Sequence, residues 1–242
     1  LNWGFQFYDS VRLYARNQGV PVNEAESCNW WESAARQGEA TAMTNLGLCL
    51  ETGKGRAQDH AAAATWYRQA ADQGNAIAMY NLGLAHEYGR GVPQSFETAA
   101  QWLQRALDSG RLSTGNSLDA RRHLERANRH LQAARGDPRA MYELARAVTS
   151  GDSGETRDER RGLELMKRAA EAPGAVPEAL LAHGTTVFFG RHRDHSDLRA
   201  GRPLTPQQIQ RMEADQREGA RWVRRAADAG QDEAVVLYAG WT

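Results

Sequence analysis

The residues best suited to metal chemistry lie in one polar segment towards the end of the chain. The candidates are His192, Asp194, His195 and Asp197. Imidazole and carboxylate groups are ligands for zinc and other divalent metals. The surrounding segment 191–205 contains glycine and proline, so no rigid element is predicted to fix these side chains. Beyond His183 no further ligand is evident, and the sequence favours a solvated loop without metal or other cofactor.

The other patterns of catalytic sites are missing from the sequence. No glycine-rich phosphate loop follows a strand, because no strand pattern occurs in the sequence at all. No serine or cysteine lies in a recognisable nucleophile setting, and Cys49 falls on the apolar stripe of a predicted helix, where a reactive thiolate is unusual. The sequence therefore predicts no enzyme. A hydrolase or a metal-dependent enzyme using the histidine segment is the remaining catalytic alternative.

Charge and hydropathy exclude two further classes of protein. Thirty lysine and arginine residues balance thirty aspartate and glutamate residues, so the formal net charge is zero. A nucleic-acid-binding protein is expected to carry a basic excess, and no nucleic-acid partner is predicted. No apolar run approaches the roughly 20 residues that span a bilayer, so no transmembrane segment is predicted.

The dominant feature of the sequence is an internal repeat. Residues 30–55 and 66–91 match at an offset of 36 positions, and a third copy begins at Trp102. The anchors of the first two copies are Trp30 and Trp66, Ala34 and Ala70, Gly38 and Gly74, Leu46 and Leu82, Gly47 and Gly83, and Gly53 and Gly89. Apolar residues within each copy recur at three- and four-residue steps, which indicates pairs of amphipathic helices that must stack on their neighbours.

This pattern resembles the Sel1-like repeat family, whose units read A-x3-LG-x6-G-x-G and then W-x3-AA-x2-G. The match is specific over 19–110 and weaker over 136–242. The resemblance implies an all-α fold, a right-handed α-solenoid of Sel1-like, tetratricopeptide-like helix pairs. We expect N-terminal repeats over 1–110, an irregular joint over 111–135 and degenerate C-terminal repeats over 136–242.

The joint and the late insertion are predicted in more detail. Residues 111–117 are expected to form a loop, and 118–135 a helix with an apolar stripe. That stripe consists of Leu118, Leu124, Ala127 and Leu131. The inserted loop near 191–205 should end where Thr205 caps a helix that begins at Pro206. The repeated tryptophans at 30, 66, 102 and 222 are expected to pack in the core.

The only two cysteines, Cys28 and Cys49, occupy positions that are alanines in the next repeat, Ala64 and Ala85. They stand about ten residues before and after the turn near Gly38, so antiparallel helices bring them to the same height. Closely packed helices can place two Cα atoms within the roughly 4.4–6.8 Å that a disulfide requires. We predict a Cys28–Cys49 bond. The alternative is two small buried thiols.

The resemblance also indicates where a partner would bind, because helices with the Leu-Gly motif line the concave face of such solenoids. Positions beside the apolar stripe of these helices should be exposed there. The predicted partner-binding residues are Thr44, Asn45, Leu48, Glu51, Tyr80, Asn81, Leu84, Glu87, Tyr142 and Arg146. Leucine and tyrosine stacked in a groove suit a protein partner, and the asparagines could clamp an extended backbone. The alternative is that these residues fill gaps between repeats.

The function that the resemblance implies is a non-enzymatic bacterial protein-binding scaffold, monomeric when unbound. The chain begins at Leu1, so a removed signal peptide is presumed, and a disulfide would agree with a periplasmic or secreted location. Sel1-like proteins include immunity proteins that neutralise secreted toxins, among them phospholipase effectors of type VI secretion. A short chain suits that role. An envelope-assembly or signalling adaptor is the alternative.

Overall fold

The computed structural model describes residues 23–189 and 205–241, and within them the regular structure consists of helices alone. The helices are α1 (Glu24–Arg36), α2 (Ala40–Thr52), α3 (His60–Asp72), α4 (Ala76–Tyr88), α5 (Phe96–Asp108), α6 (Thr114–Ala134), α7 (Pro138–Ser150), α8 (Glu159–Glu171), α9 (Pro177–Phe188), α10 (Pro206–Asp228) and α11 (Asp232–Trp241). The predicted all-α repeat fold is confirmed.

The helices form consecutive pairs, and a glycine sets the close approach within several of them. Each of α2, α4, α7 and α9 packs extensively on the helix that follows it. A Cβ atom added to Gly83 of α4 would lie 2.8 Å from Cγ of Leu103 on α5. Gly47 meets Tyr67 and Gly184 meets Val223 in the same way. The glycine of the repeated Leu-Gly motif is therefore the contact point between paired helices.

The ends of the helices follow the expected local chemistry. Asn75 accepts a hydrogen bond from the Ala78 backbone at the start of α4, and Gly89 ends that helix with a positive φ of 66°. Thr205 caps α10 in a reciprocal capping box with Gln208, and Pro206 takes the first helical position. The predicted start of this helix is confirmed. The rest of the predicted 191–205 loop lies outside the described residues.

The chain divides into two compact units, Leu1–Asn128 and Arg129–Thr242, and the boundary falls within α6. In the first unit (unit 1), Ala42, Leu46, Tyr67, Leu82 and Trp102 belong to one core. The second (unit 2) holds two clusters, one around Met141, Leu144 and Leu165 and one around Leu180 and Val223. The division into 1–110, 111–135 and 136–242 stays a prediction.

The joint helix differs from its sequence-based prediction. It begins at Thr114 rather than 118, since Ser113 accepts a hydrogen bond from the Asn116 backbone and starts the helix. Leu118 is 55% exposed, so its place on the apolar stripe was wrong. The fully buried positions of α6 include Ala120 and Ala127, whose small side chains allow close packing.

The repeated tryptophans do not share one environment. Trp102 is buried in the core of unit 1, and Trp66 packs against that core while partly exposed. Trp222 is half-buried beside the core around Val223. Trp30 is 46% exposed, so the prediction that it packs in the core was wrong. The repeat register fixes which helix carries the ring, but the neighbouring helices decide how far it is covered.

A disulfide joins Cys28 of α1 to Cys49 of α2, with Cα atoms 6.2 Å apart. The predicted pairing is confirmed, and it braces the first pair of described helices where the next repeat has two alanines. Over the described residues, no helix is long and apolar enough to cross a membrane.

Candidate protein-binding surface

The repeat register defines one surface that recurs on several helices. Leu46-Gly47 of α2 corresponds to Leu82-Gly83 of α4, Leu144-Ala145 of α7 and His183-Gly184 of α9. We call these four helices the LG helices. Their LG face consists of the residues at the register of Thr44, Asn45, Leu48, Glu51 and Thr52. All predicted partner-binding residues belong to this face.

On α2, other side chains of unit 1 contact part of the LG face. The hydroxyl of Tyr67 donates a hydrogen bond to Glu51 at 2.7 Å, and Arg90 lies 3.6 Å from the other oxygen of that carboxylate. Burial, followed by the bond to Glu51, raises the pKa of Tyr67 far above its usual value, while a hydrogen bond with Asn81 opposes this shift. Glu51 and Asn81 thus have partners within unit 1.

On α4 the part of the LG face around Glu87 contacts α6. The side chain of Glu87 is fully buried, the guanidinium of Arg126 bonds one of its oxygens at 2.5 Å, and Nδ1 of His123 lies 2.9 Å from the other. The His123 ring makes edge contacts with Tyr80 and Tyr88, at centroid distances of 6.3 and 6.1 Å. The joint helix therefore occupies part of the LG face of α4.

The predicted exposure of the LG face is only partly correct. Thr44 and Glu87 are buried, so exposure was wrongly expected of both. The Thr44 hydroxyl donates to the Ala40 carbonyl within α2, and α6 covers Glu87. Leu48 is 48% exposed and Arg146 is exposed, whereas the remaining predicted residues are half-buried. Those half-buried residues are Asn45, Glu51, Tyr80, Asn81, Leu84 and Tyr142. Their binding of a partner stays a prediction.

In unit 2 the LG face of α7 and α9 forms an open groove of about 550 Å³, completed by α8. We call it the unit-2 groove. Arg146 lines it, and so do Glu143 and Thr149 of α7 at the registers of Asn45 and Glu51. From α9 come Ala182 and Thr185, at the registers of Asn45 and Leu48. Tyr142 instead packs against the neighbouring core, with the Arg146 guanidinium 5.9 Å from its ring centre.

Sequence reasoning missed most of the residues that line this groove. The prediction stopped at Arg146 because α9 carries His183-Gly184 where the motif has leucine and glycine. The glycine inside the helix is the signal that α9 retains, and it would have placed Thr185 directly after the pair. Leu163 and Met166 come from α8, and only the packing of three helices brings them to the same groove.

The metal hypothesis gains nothing from the described residues. His192, Asp194, His195 and Asp197 lie outside them, and His183 is buried with its ring 5.2 Å from that of Trp222. Within 23–189 and 205–241, no group of three or more histidine, cysteine or acidic residues could hold a metal ion.

The stacked helix pairs and their recurring face define a helical-repeat scaffold. A model of the Sel1 repeat matches residues 6–39, 40–75, 76–110, 138–173 and 209–231, more than half of the chain. The chain belongs to the Sel1 repeat family, and it is a scaffold of the kind that mediates protein interaction. The unmatched stretch between the third and fourth repeats contains α6.

The solved structures to which the chain is similar are distant in sequence. A Sel1 repeat protein from Oxalobacter formigenes is 22% identical over 96% of this chain and 76% of its own, with a TM-score of 0.42. A protective antigen of uropathogenic Escherichia coli is 21% identical over 96% of this chain and 55% of its own, with a TM-score of 0.43. An immunity protein from Pseudomonas aeruginosa is 16% identical over 93% and 82%, with a TM-score of 0.33. No curated protein matches the chain.

Proposed function

We propose that this chain is a non-enzymatic scaffold that binds another protein through the unit-2 groove. The observation that carries the proposal is the register of the groove. Arg146 and Thr185 occupy equivalent LG positions on successive LG helices, α7 and α9, and both line the same cavity. A repeat protein binds partners along a surface that recurs from one unit to the next, and in unit 2 that surface lines an open groove.

The proposed compartment is the periplasm or the cell exterior. The Cys28–Cys49 disulfide supports this, because structural disulfides persist in oxidising environments and are rare in the cytosol. The proposed partner is a secreted bacterial toxin, of the phospholipase type delivered by type VI secretion, which the chain would neutralise as an immunity protein. This partner class rests on the family resemblance of the sequence. The alternative role is an adaptor in envelope assembly or signalling.

The test is affinity capture of the tagged full-length chain from the envelope of the cell that makes it. Wild type is compared with Arg146→Glu in the groove and with Arg221→Glu on the exposed side of α10 as the matched control. The proposal expects one stoichiometric protein that is retained by wild type and the control and is lost with Arg146→Glu. Co-expression should then protect cells from that protein's toxicity.

Other results of the same capture contradict parts of the proposal. Several envelope-assembly or signalling proteins bound together would favour the adaptor. Retention of every partner by Arg146→Glu would remove the groove from the binding surface. Elemental analysis of the purified full chain tests the non-enzymatic part, because a stoichiometric metal with hydrolytic activity would favour the enzyme alternative.

A further inference from the structure

The chain itself shows how an LG face of this protein accommodates another element. In unit 1, the occupant of the α4 LG face is the α-helix α6. It presents His123 and Arg126, three residues apart and therefore on one side of the helix, to Glu87. The guanidinium of Arg126 also lies over the Tyr88 ring at 5.2 Å. The element that contacts this face is thus a helix.

The unit-2 groove has the chemical layout that an amphipathic helix requires. The least exposed part of its lining, the floor, combines threonines with the apolar residues Ala147, Leu163, Met166 and Ala182. The hydroxyl of Thr185 donates to backbone carbonyls of α9, as that of Thr149 does within α7, so neither needs a partner from outside. A helix can lay its apolar stripe on such a floor.

The rim of the groove is charged with both signs. Glu143, Asp152 and Glu159 contribute carboxylates on its exposed edge, and Arg129 and Arg146 contribute guanidinium groups. An amphipathic helix carries polar and charged residues on either side of its apolar stripe. The mixed rim therefore suits the flanks of a helix, with an excess of acceptors for cationic side chains.

The groove lacks the asparagines that were expected to clamp an extended peptide. An extended peptide needs outside partners for its peptide groups, because it has no regular backbone bonds within itself. At the asparagine register of α2 and α4, the groove has Glu143 on α7 and Ala182 on α9. The helices that form the groove have their backbone groups bonded internally. A helix brings its own backbone bonds and needs no such clamps.

We infer that the unit-2 groove binds an amphipathic α-helix of the partner protein, while α6 occupies the part of the α4 LG face around Glu87. This inference rests on the proposed function and specifies the conformation of the bound segment. It also separates the predicted partner-binding residues, since Arg146 contacts the partner helix and Tyr80 and Glu87 contact α6 instead.

Two displayed peptide libraries test the inference on the purified full-length chain. One consists of amphipathic helical peptides, and the other of proline-containing peptides that cannot form helices. Selected clones are measured against wild type, Thr185→Arg and Ser150→Arg, which place a long cation inside the groove. Thr65→Arg is the matched control, because Thr65 also bonds the carbonyl four residues earlier in its helix but is exposed on α3 in unit 1, outside the LG face.

We expect clones from the helical library that bind wild type and the control equally and bind both groove variants at least about tenfold more weakly, a loss of about 1.4 kcal/mol. Ser150 is exposed at the end of α7, so Ser150→Arg keeps the test valid if Thr185→Arg unfolds. Groove-dependent clones from the proline library alone, or no groove-dependent clone from either, would overturn the inference. The envelope capture detects loss of the partner in Arg146→Glu whether the partner binds as a helix or not. A failure of the peptide experiment is therefore distinguishable from a failure of the proposed function.

Discussion

The guanidinium of Arg126 bonds the buried carboxylate of Glu87 at 2.5 Å, across 39 residues of sequence. This contact attaches the joint helix α6 to the repeat over 76–110 and so holds an irregular insertion in a defined position. In the repeat over 40–75 the equivalent glutamate, Glu51, is bonded by Tyr67. The repeat over 76–110 has Leu103 at the register of Tyr67, and leucine has no hydroxyl. The helix α6 thus supplies the partners that this repeat lacks.

Removal of the Arg126 charge should destabilise unit 1 strongly. Arg126→Met keeps most of the side-chain volume but leaves Glu87 buried without its cation, which typically costs about 3–5 kcal/mol. Urea unfolding measures the change. Arg122→Met is the control, because its ion pair with Asp119 is exposed and should contribute less than about 1 kcal/mol. Equal effects of the two variants would contradict the role assigned to Arg126.

The disulfide should contribute stability without being needed for the fold. The double variant Cys28→Ala, Cys49→Ala installs the residues that the next repeat has at these positions. Closing a loop of this size is worth about 3 kcal/mol, so the free energy of unfolding of the variant, measured with urea, should be lower by that amount. Wild type under reducing conditions should unfold like the variant, and the variant itself should not respond to reductant. Loss of helical circular dichroism in the variant without urea would refute this expectation.

A methyl group at the Leu-Gly glycine should separate a helix pair. In Gly83→Ala the added Cβ would lie 2.8 Å from Leu103, and such overpacking costs about 1–3 kcal/mol. Alanine is intrinsically the better helix former by about 1 kcal/mol, so the steric effect must exceed that gain. Gly115→Ala on α6 is the control, because nothing lies within 4 Å of its added Cβ, and its melting temperature should stay equal or rise.

The Tyr67 phenol should make stability fall at high pH. Its folded pKa is raised by burial and by Glu51, so the folded chain keeps the neutral phenol while the unfolded chain ionises near pH 10. The stabilising contribution is complete below pH 10 and is lost as the pH rises above it. By linkage, wild type should lose about 1.4 kcal/mol more than Tyr67→Phe between pH 8 and pH 11.

Two further measurements complete that experiment. At pH 8, Tyr67→Phe removes the hydrogen-bond donor to Glu51 and should cost about 1–2 kcal/mol. Tyr142→Phe, which makes the same change of side chain in unit 2, is the control for Tyr67→Phe. An alkaline loss of stability that is the same in wild type and Tyr67→Phe would show that Tyr67 ionises in the folded chain.

The helix pairs and their ends were predictable because they depend on residues close together in sequence. The offset of 36 positions, the Leu-Gly pair and the glycines after the helices fixed where helices lie and where they stop. The Cys28–Cys49 bond also followed, since two antiparallel helices around one turn leave little freedom in register. In the late repeats the same signals, such as Thr205-Pro206, still located a helix start.

The candidate site depended on contacts that no periodic pattern contains. Whether Trp30 or Trp102 is covered, whether Glu87 is exposed, and which residues join Arg146 in the groove are decided by neighbouring helices. The repeat register places a side chain on a face of its own helix. Only the tertiary structure decides what lies over that face. Glu87 of α4, for example, is buried by α6, which lies outside the repeats and contacts α4 through residues distant in sequence.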